Sequence, residues 1–490
     1  MSNELSKRIA NLSPEKRAEL LKKMAAQKAV AGNSAQGLIP VQDRSRPLPL
    51  SFAQQRLWFI DQLQPGTSLF NVPMAVRLEG ALDVAVLERA LREVVRRHEV
   101  LRTTFREDAS GPVQVVSPEP VLTLERKEFT GSAPEEAWRL AREAAAQPFD
   151  LAKGPLLRAL LLTSAPGEHL LVVVVHHIIS DGWSMTLLVR EVALLYGAFA
   201  RGQAAPLPPL GIQYADFGAW QREWMQGPRL EKQLDYWKRQ LAGVPSALEL
   251  PTDFPRPANR DGRGARHDVL LPRELTDALK AVAQQEGASL YMALLTGWQV
   301  LMARYSGQDD VTVGSPMAGR TRGEVEGLIG LFVNAQVLRT RVTGTASFRT
   351  LLRQVRETVL GAQEHQELPI ERLVEELKPE RIPGRTPFFQ VMLTYQASFR
   401  GAATVEGVKL EALELDTFSA KFDLTLQVLE TDAGLKGYLE YTTDLFTAST
   451  AARMAEHLRV LLQEAVAQPD AHVSSLQLLA GEERQQELVE

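Results

Sequence analysis

The stretch from Leu170 to Trp183 reads LLVVVVHHIISDGW, and the interpretation of the whole chain starts from it. Its β-branched apolar run is too short to span a membrane and predicts a strand buried on both faces. Ser180-Asp181-Gly182 then predicts a turn at the end of that strand. Side chains alternate along a strand, so we expect His176 and His177 on opposite faces, one with a structural role and one with a catalytic role.

Three explanations compete for this pair of histidines. A histidine at the end of an apolar strand is most often a hydrogen-bonded core residue. A metal site is disfavoured, because adjacent strand side chains diverge and the sequence has neither cysteine nor an H-E-x-x-H motif. Catalysis is favoured by an imidazole that titrates near pH ~6.5, by the nearby acid Asp181, and by Gly182, where backbone can approach a ligand.

Composition narrows the class of protein. The 490 residues, 45% of them hydrophobic, are enough for about three ordinary domains or two large ones. A net charge of −5 with dispersed basic residues gives no footprint for nucleic acid. The absence of cysteine excludes disulfides, thiolate metal sites and a cysteine nucleophile. The N-terminal residues alternate charged and apolar side chains, unlike a signal peptide, so we expect a cytoplasmic protein without a membrane partner.

Along the chain, strand-like and helix-like segments alternate, which predicts an α/β fold. Residues 13–30 begin with Ser13-Pro14-Glu15 and predict an amphipathic helix, either a tethered appendage or a segment that docks onto an upstream partner. QAAPLPPL, at residues 203–210, predicts an extended connector between two lobes. The expected organisation is an N-terminal helix and linker (1–48), a first lobe with the histidine motif (49–210) and a second lobe (211–490).

Six motifs together resemble a known family. HHIISDGWS (176–184) is similar to the H-H-x-x-x-D-G core of the condensation domains of nonribosomal peptide synthetases. The other five occur in that family's order: LSFAQQRLWFID (50–61), RRHEVLRTTF (96–105), YADFGAW (214–220), VGSPMAGR (313–320) and IGLFVNAQ (329–336). The resemblance implies two chloramphenicol-acetyltransferase-like lobes that form a V-shaped pseudo-dimer around a central tunnel, with latch and floor segments in the second lobe.

Some positions depart from the family pattern. HQELPIERL (365–373) replaces the usual H-Q-D-x-P-F-E. RIPGRTPFFQVML (381–393) lacks the usual R-D-x-S start, and Ala335 stands where a threonine is common. None of these changes touches the histidine motif. The S-D-G-W-S context and RRHEVLRTTF resemble the branch that joins an L-configured donor to an acceptor amino acid.

The resemblance implies a reaction and its partners. The α-amine of an acceptor aminoacyl thioester would attack the carbonyl of a donor acyl or peptidyl thioester. Both substrates would be carried on the phosphopantetheine of an upstream donor and a downstream acceptor peptidyl carrier protein. No cofactor or metal is expected to be bound by the chain itself. An adenylation domain would follow C-terminally, so we expect the chain to be excised from a longer synthetase that makes an antibiotic or siderophore.

The resemblance also implies roles for single residues. His177 and Gly182 are the candidate catalytic residues, and His176 is the structural histidine. Asp181 would stabilise the turn through an ion pair, for which Arg56 and Arg320 are both candidates. The residues expected to shape the tunnel are Trp183, Ser315 and Asn334.

Three other functions remain open from the sequence. An epimerase of the same superfamily would keep the histidine motif but abstract an α-proton. A stand-alone acyltransferase would use a soluble acceptor in place of a carrier-bound one. A noncatalytic recruitment module on the same fold would usually have a decayed histidine motif, and here the motif is intact.

Overall fold

The strand predicted around the valine run is a central strand of a six-stranded sheet. This computed structural model describes residues 38–109, 111–129, 134–396 and 403–479. The helix predicted at residues 13–30 lies outside the described residues. The alternation of strand and helix along the rest of the chain follows the predicted α/β pattern.

The described residues form fifteen strands, twelve helices and two 3-10 turns. The strands are β1 (Leu48–Pro49), β2 (Asn71–Glu79), β3 (Thr103–Asp108), β4 (Gly111–Val116), β5 (Leu124–Glu128), β6 (Leu157–Ala165), β7 (Glu168–His176), β8 (Gly264–Pro272), β9 (Asp310–Met317), β10 (Asn334–Arg341), β11 (Val391–Gln396), β12 (Ala403–Val405), β13 (Val408–Leu413), β14 (Leu424–Thr431) and β15 (Gly434–Thr442). The helices are α1 (Phe52–Leu63), α2 (Val84–Arg97), α3 (Pro134–Ala146), α4 (Gly182–Ala200), α5 (Tyr214–Trp224), α6 (Gly227–Gln240), α7 (Arg273–Gln285), α8 (Leu290–Ser306), α9 (Gly323–Glu326), α10 (Phe348–Glu364), α11 (Ile370–Leu377) and α12 (Ala448–Ala467). The 3-10 turns are Glu99–Arg102 and His177–Ile179.

The first lobe is built on a sheet with the strand order β12-β13-β2-β7-β6-β5. Its strand β7 pairs antiparallel with β2 and β6. Val172 to Val175 are at most 1% exposed, so both faces of β7 are covered, as the unbroken apolar run predicts. Helix α3 packs against β2, β6 and β7, and α2 packs against α4. A small sheet, β1-β4-β3, is separate from this one.

The second lobe is built on a sheet with the order β10-β9-β11-β14-β15-β8. Helix α8 contacts α7, α10 and α12 and forms the centre of a second apolar core. The Ser289 side chain accepts the Met292 N–H at the start of α8, and Gly307, at φ 68°, ends the helix in the left-handed conformation. Helices α7 and α8 are separated by a short turn at Gly287, which has φ 62°.

The two lobes are not simply consecutive halves of the chain. Tyr214 and Phe217 of α5 pack in the core of the first lobe, as do Leu328 to Phe332. The β12-β13 hairpin extends the first sheet beyond β2, with Leu410 opposite Leu78. An uncovered edge of β2 would expose unpaired backbone groups. The boundary near residue 210 stays a prediction, and later segments of the chain cross back to pack with the first lobe.

Helix α4 has the length and apolar composition of a membrane span among the described residues. However, 61% of its apolar window is buried inside the protein, which is typical of a core helix. Helix α4 is therefore only weak evidence for a membrane-spanning segment.

Candidate active site

The histidine pair lies where β7 ends and a tight turn begins. The His176 N–H donates to the Leu156 carbonyl at 3.0 Å, and the His177 N–H donates to the Phe70 carbonyl at 2.8 Å. His177 is the first residue of the 3-10 turn and no longer part of the strand. The two side chains have different environments, because the backbone changes from strand to 3-10 turn between them. Strand alternation, from which opposite faces are expected, is therefore not the only cause.

His176 lies in an apolar aromatic site. Its side chain is 2% exposed, and its ring centroid lies 6.4 Å from that of Phe70 and 6.1 Å from that of Phe149. Its Nδ1 atom accepts the Ile178 N–H at 3.1 Å, which supports the turn. Burial lowers the pKa of His176 to about 3, so the imidazole stays neutral at neutral pH. These contacts fit the structural role expected of His176, which stays a prediction.

His177 has one nitrogen fixed by the protein. Its Nδ1 atom lies 2.6 Å from the Ser180 carbonyl oxygen. A carbonyl oxygen can only accept, so Nδ1 carries the proton and Nε2 keeps its lone pair. Burial, followed by the positive charge of Lys421, lowers the pKa of His177 to about 4, against the opposing effects of the Ser180 carbonyl and Asp181. At neutral pH the half-buried ring is therefore a neutral acceptor with a defined orientation.

Asp181 is a buried residue next to the histidine turn and accepts hydrogen bonds from two separate segments of the chain. It caps helix α4: Oδ1 accepts the Ser184 N–H at 2.8 Å and the Ser184 hydroxyl at 2.7 Å. Its Oδ2 accepts the N–H groups of Phe332 at 2.9 Å and Val333 at 3.2 Å. Four donors from two distant parts of the sequence therefore converge on one carboxylate, which explains how the turn after β7 is joined to the segment before β10.

Of the two candidate arginines, Arg320 is the partner of Asp181. Its Nη2 atom lies 3.3 Å from Asp181 Oδ1 and donates to Ser184 Oγ at 2.9 Å. Its Nη1 atom donates to the Leu328 carbonyl at 2.7 Å, and its side chain is 2% exposed. The alternative partner, Arg56, is a correction: it lies 3.4 Å from Glu371 of helix α11. The Arg56 side chain is 47% exposed.

Gly182 begins helix α4 next to Asp181. A Cβ atom built on Gly182 would meet no atom within 4 Å, and its backbone does not require glycine. The absence of a side chain therefore leaves open space beside the histidine turn. Trp183 is 49% exposed, and its indole Nε1 donates to the Glu326 carbonyl at 3.1 Å.

This open space at Gly182 gives a prediction. We expect Gly182→Val to keep the fold, since the added atoms meet no neighbour, and to lower turnover at least tenfold by narrowing the approach to the His177 turn. Thermal melting and single-turnover product formation measure the two effects. Gly211→Val is the matched control, because Gly211 is also exposed, has no positive φ and has no atom within 4 Å of an added Cβ. An unchanged rate in Gly182→Val would contradict a role for this space in substrate approach.

Ser315 and Asn334 brace the second sheet. The Tyr291 hydroxyl donates to Ser315 Oγ at 2.7 Å, and Ser315 donates to the Leu393 carbonyl at 3.2 Å. The Asn334 amide donates to the Leu368 carbonyl at 2.8 Å and accepts the Ile370 N–H at 3.0 Å. All of these hydrogen bonds are made to other protein groups and do not test whether the two side chains shape a tunnel. That role therefore stays a prediction.

Lys421 is a charged neighbour of the site that no pattern in the sequence indicates. Its ammonium nitrogen lies 5.4 Å from the centroid of the Phe70 ring, and its charge acts on both histidines. Lys421 and His177 are far apart in the sequence, and no periodicity or motif links them. Among the described residues, no three His, Cys, Asp or Glu side chains cluster as a metal site would require.

The site combines an imidazole that can accept a proton with a carboxylate that supports the turn. A neutral imidazole with its Nε2 lone pair free can accept a hydrogen bond or a proton from an amine. A carboxylate that is fully engaged in hydrogen bonds is suited to holding the turn in place. The two serines of the motif are engaged elsewhere: Ser180 Oγ donates to the Asp181 carbonyl, and Ser184 Oγ is bonded to the Asp181 carboxylate.

Almost the whole chain is similar to known proteins. The family model described as the condensation domain matches residues 44–488. One of the linear gramicidin synthase proteins of Brevibacillus parabrevis is 45% identical over 460 residues, which are 93% of this chain and 6% of that protein. Chondramide synthase of Chondromyces crocatus is 45% identical over 447 residues, which are 90% of this chain and 11% of that protein. The chain therefore spans a small part of these much longer relatives.

Two solved structures share the fold. The X-domain in its complex with OxyB from teicoplanin biosynthesis matches with a TM-score of 0.83 and 29% identity, over 91% of this chain and 98% of that one. The first condensation domain of the calcium-dependent antibiotic synthetase, with substrate analogue 3a, matches with a TM-score of 0.76 and 25% identity, over 89% and 100%. The predicted two-lobed, chloramphenicol-acetyltransferase-like fold is confirmed. The chain belongs to the condensation-domain family of the nonribosomal peptide synthetases.

Proposed function

We propose that the site around His177 forms an amide bond between a donor acyl or peptidyl thioester and the α-amine of an acceptor aminoacyl thioester. The observation that carries this proposal is the hydrogen bond between His177 Nδ1 and the Ser180 carbonyl. It fixes the tautomer in which Nε2 can accept a proton from the amine. A neutral and oriented imidazole can accept the proton that the amine nitrogen loses as the C–N bond forms.

The reaction needs modest chemical help and careful positioning. An α-amine has a pKa of roughly 8, so a substantial minority is already neutral at pH 7. Its nitrogen attacks the thioester carbon, the C–N bond forms, and the carbonyl π electrons move to oxygen. When the carbonyl reforms, the C–S bond breaks and the thiolate leaves. The proton lost from nitrogen passes to His177 Nε2 and then to the thiolate. General-base help is worth about 10²-fold here, and positioning of both reactants can supply more.

The partners are proposed from the same family membership. We propose an upstream donor carrier and a downstream acceptor carrier, each presenting its substrate on phosphopantetheine, and an adenylation domain on the C-terminal side. The match to small parts of a gramicidin synthase and a chondramide synthase supports such a multidomain setting. We further propose an L-configured donor, because of the S-D-G-W-S context and the RRHEVLRTTF motif.

A second candidate function is a noncatalytic recruitment module. It is favoured by the likeness to the X-domain, whose solved structure is a complex with OxyB. The oriented His177 and the hydrogen-bonded Asp181 favour catalysis over this alternative. The two functions differ in one result: only the catalytic protein forms product when both loaded carriers are mixed with it.

The deciding experiment is mass spectrometry of the downstream carrier after both loaded carriers are mixed with this protein. Condensation adds the donor acyl mass to the acceptor carrier. An epimerase would leave the mass unchanged and invert one α-carbon, which chiral analysis of the released amino acid detects. A recruitment module would change neither the mass of the acceptor carrier nor the configuration of the α-carbon, and this result would contradict the proposal.

Carrier dependence is a prediction of the same function. Replacing the acceptor carrier with the free amino acid at the same concentration should nearly abolish the reaction. Tethering raises the effective concentration of each substrate to the millimolar range, so the site itself need bind the small substrates only weakly. Product formation at several acceptor concentrations measures the effect. Equal rates with free and carrier-bound acceptors would favour a stand-alone acyltransferase.

A further inference from the structure

Lys421 lies in a segment that is held firmly on both sides. The Ala420 N–H donates to the Gly262 carbonyl at 2.9 Å. The Asp423 side chain, 1% exposed, binds Arg256 at 2.5 Å and Arg260 at 3.2 Å. The position of the Lys421 backbone is therefore determined by buried contacts within the second lobe.

The ammonium group of Lys421 is not used by these contacts. Within the part of the chain that the structure describes, it makes no hydrogen bond and no ion pair. The neighbouring carboxylate, Asp423, is already shared by two arginines. The half-buried lysine instead projects over the Phe70 ring at 5.4 Å. A buried charge without a partner is costly, and such groups are concentrated at functional sites.

Phe70 connects this charge to the reacting group. The Phe70 carbonyl accepts the His177 N–H at 2.8 Å, and the Phe70 ring lies beside His176. A cation from the second lobe therefore meets the first lobe at the residue that holds the His177 backbone. Burial lowers the pKa of Lys421 to about 8, with Glu440 opposing the shift and Arg56 adding to it.

We propose that Lys421 is a further catalytic residue, whose ammonium group donates a hydrogen bond to the donor thioester oxygen as that oxygen becomes an oxyanion. This inference rests on the proposed function. The oxygen gains negative charge when the C–N bond forms and loses it when the C–S bond breaks. Lys421 stays protonated throughout, and the proton leaving the amine passes to His177. Removing one donor to an oxyanion typically lowers turnover by about 10²- to 10³-fold.

The charge of Lys421 has a defined dependence on pH. The titratable groups around it are the neutral His176 and His177 at the turn and Glu440 on β15, and the charged groups are Arg56 on α1 and Arg266 of β8, which lies 3.6 Å from Glu440. Lys421 is charged below about pH 8 and neutral above it. Its stabilisation of an oxyanion is therefore present at low pH and lost as the pH rises through that value.

The test compares single-turnover condensation between carriers for the wild type, Lys421→Met, Lys421→Arg and the control Lys436→Met, whose lysine is exposed on β15. We expect Lys421→Met to be about 10²-fold slower at pH 7 and to melt no lower than the wild type. The ratio of wild-type to Lys421→Met rates should fall as the pH rises through about 8, because the wild type then loses its charge. Lys421→Arg should retain part of the activity above that pH, and Lys436→Met should match the wild type.

Two outcomes would overturn the inference, and a third would overturn its basis. Equal rates for the wild type and Lys421→Met at every pH would exclude a contact with the substrate. A slower Lys421→Met protein whose rate ratio to the wild type does not change with pH would assign Lys421 a structural role. Failure of the wild type to join the two carrier-bound substrates would instead refute the proposed function itself, independently of the lysine variants.

Discussion

Replacing His177 with alanine is expected to lower the condensation rate by at least about 10²-fold while leaving the fold intact. The ring contributes the Nε2 acceptor, and its only hydrogen bond to protein among the described residues is the one from Nδ1 to the Ser180 carbonyl. His176→Ala should instead mainly lower the stability of the fold. It removes a buried ring between Phe70 and Phe149 and the acceptor of the Ile178 N–H. The expected cost is about 2 to 4 kcal/mol of folding free energy, comparable to other large-to-small core substitutions.

Thermal melting and product formed on the acceptor carrier measure these two effects separately. His472→Ala is the matched control, because its side chain is exposed near the end of the described chain. A folded but inactive His176→Ala protein together with an active His177→Ala protein would reverse the two assignments. Equal loss of stability in both variants would mean that both rings have structural roles.

Part of this site can be predicted from sequence, because it lies within one local stretch. The strand, the turn and the N-cap at Asp181 depend on residues within about ten positions of one another, and local patterns report such features. The contacts that complete the site come from elsewhere. The tertiary fold brings Arg320 and Lys421 close to the turn. The residues that flank them in the sequence do not indicate which of several cationic side chains will lie there.

The fold shows the same limit. Apolar spacing and capping residues are local signals, and helix Val84–Arg97 has both, with Asp83 as its N-cap. Strand β8 is harder to predict, because Arg266, His267 and Asp268 interrupt its apolar residues. The return of β12 and β13 to the first sheet depends on an edge of β2 that is more than 300 positions away in the sequence. Only the assembled sheet determines that pairing.

Asp181 accepts from donors on both of its oxygens, which makes its charge difficult to replace. Oδ1 accepts from Ser184 and Arg320, and Oδ2 accepts from the Phe332 and Val333 backbone. An asparagine in either orientation would direct its NH₂ group at N–H donors. It would also leave the Arg320 guanidinium buried without a countercharge. Removing one partner of a buried pair typically costs about 3 to 5 kcal/mol, a large share of the stability of a domain.

Asp181→Asn should therefore lower the melting temperature markedly and lose turnover together with stability. Asp277→Asn is the control, because Asp277 pairs with Arg273 at 2.8 Å on an exposed helix surface, where such pairs contribute at most about 1 kcal/mol. In the double variant Asp181→Asn with Arg320→Met, part of the lost stability should return, because the unpaired buried charge is gone. Wild-type melting of Asp181→Asn with abolished turnover would contradict the structural role. It would mean that the carboxylate takes part in the proton transfer itself.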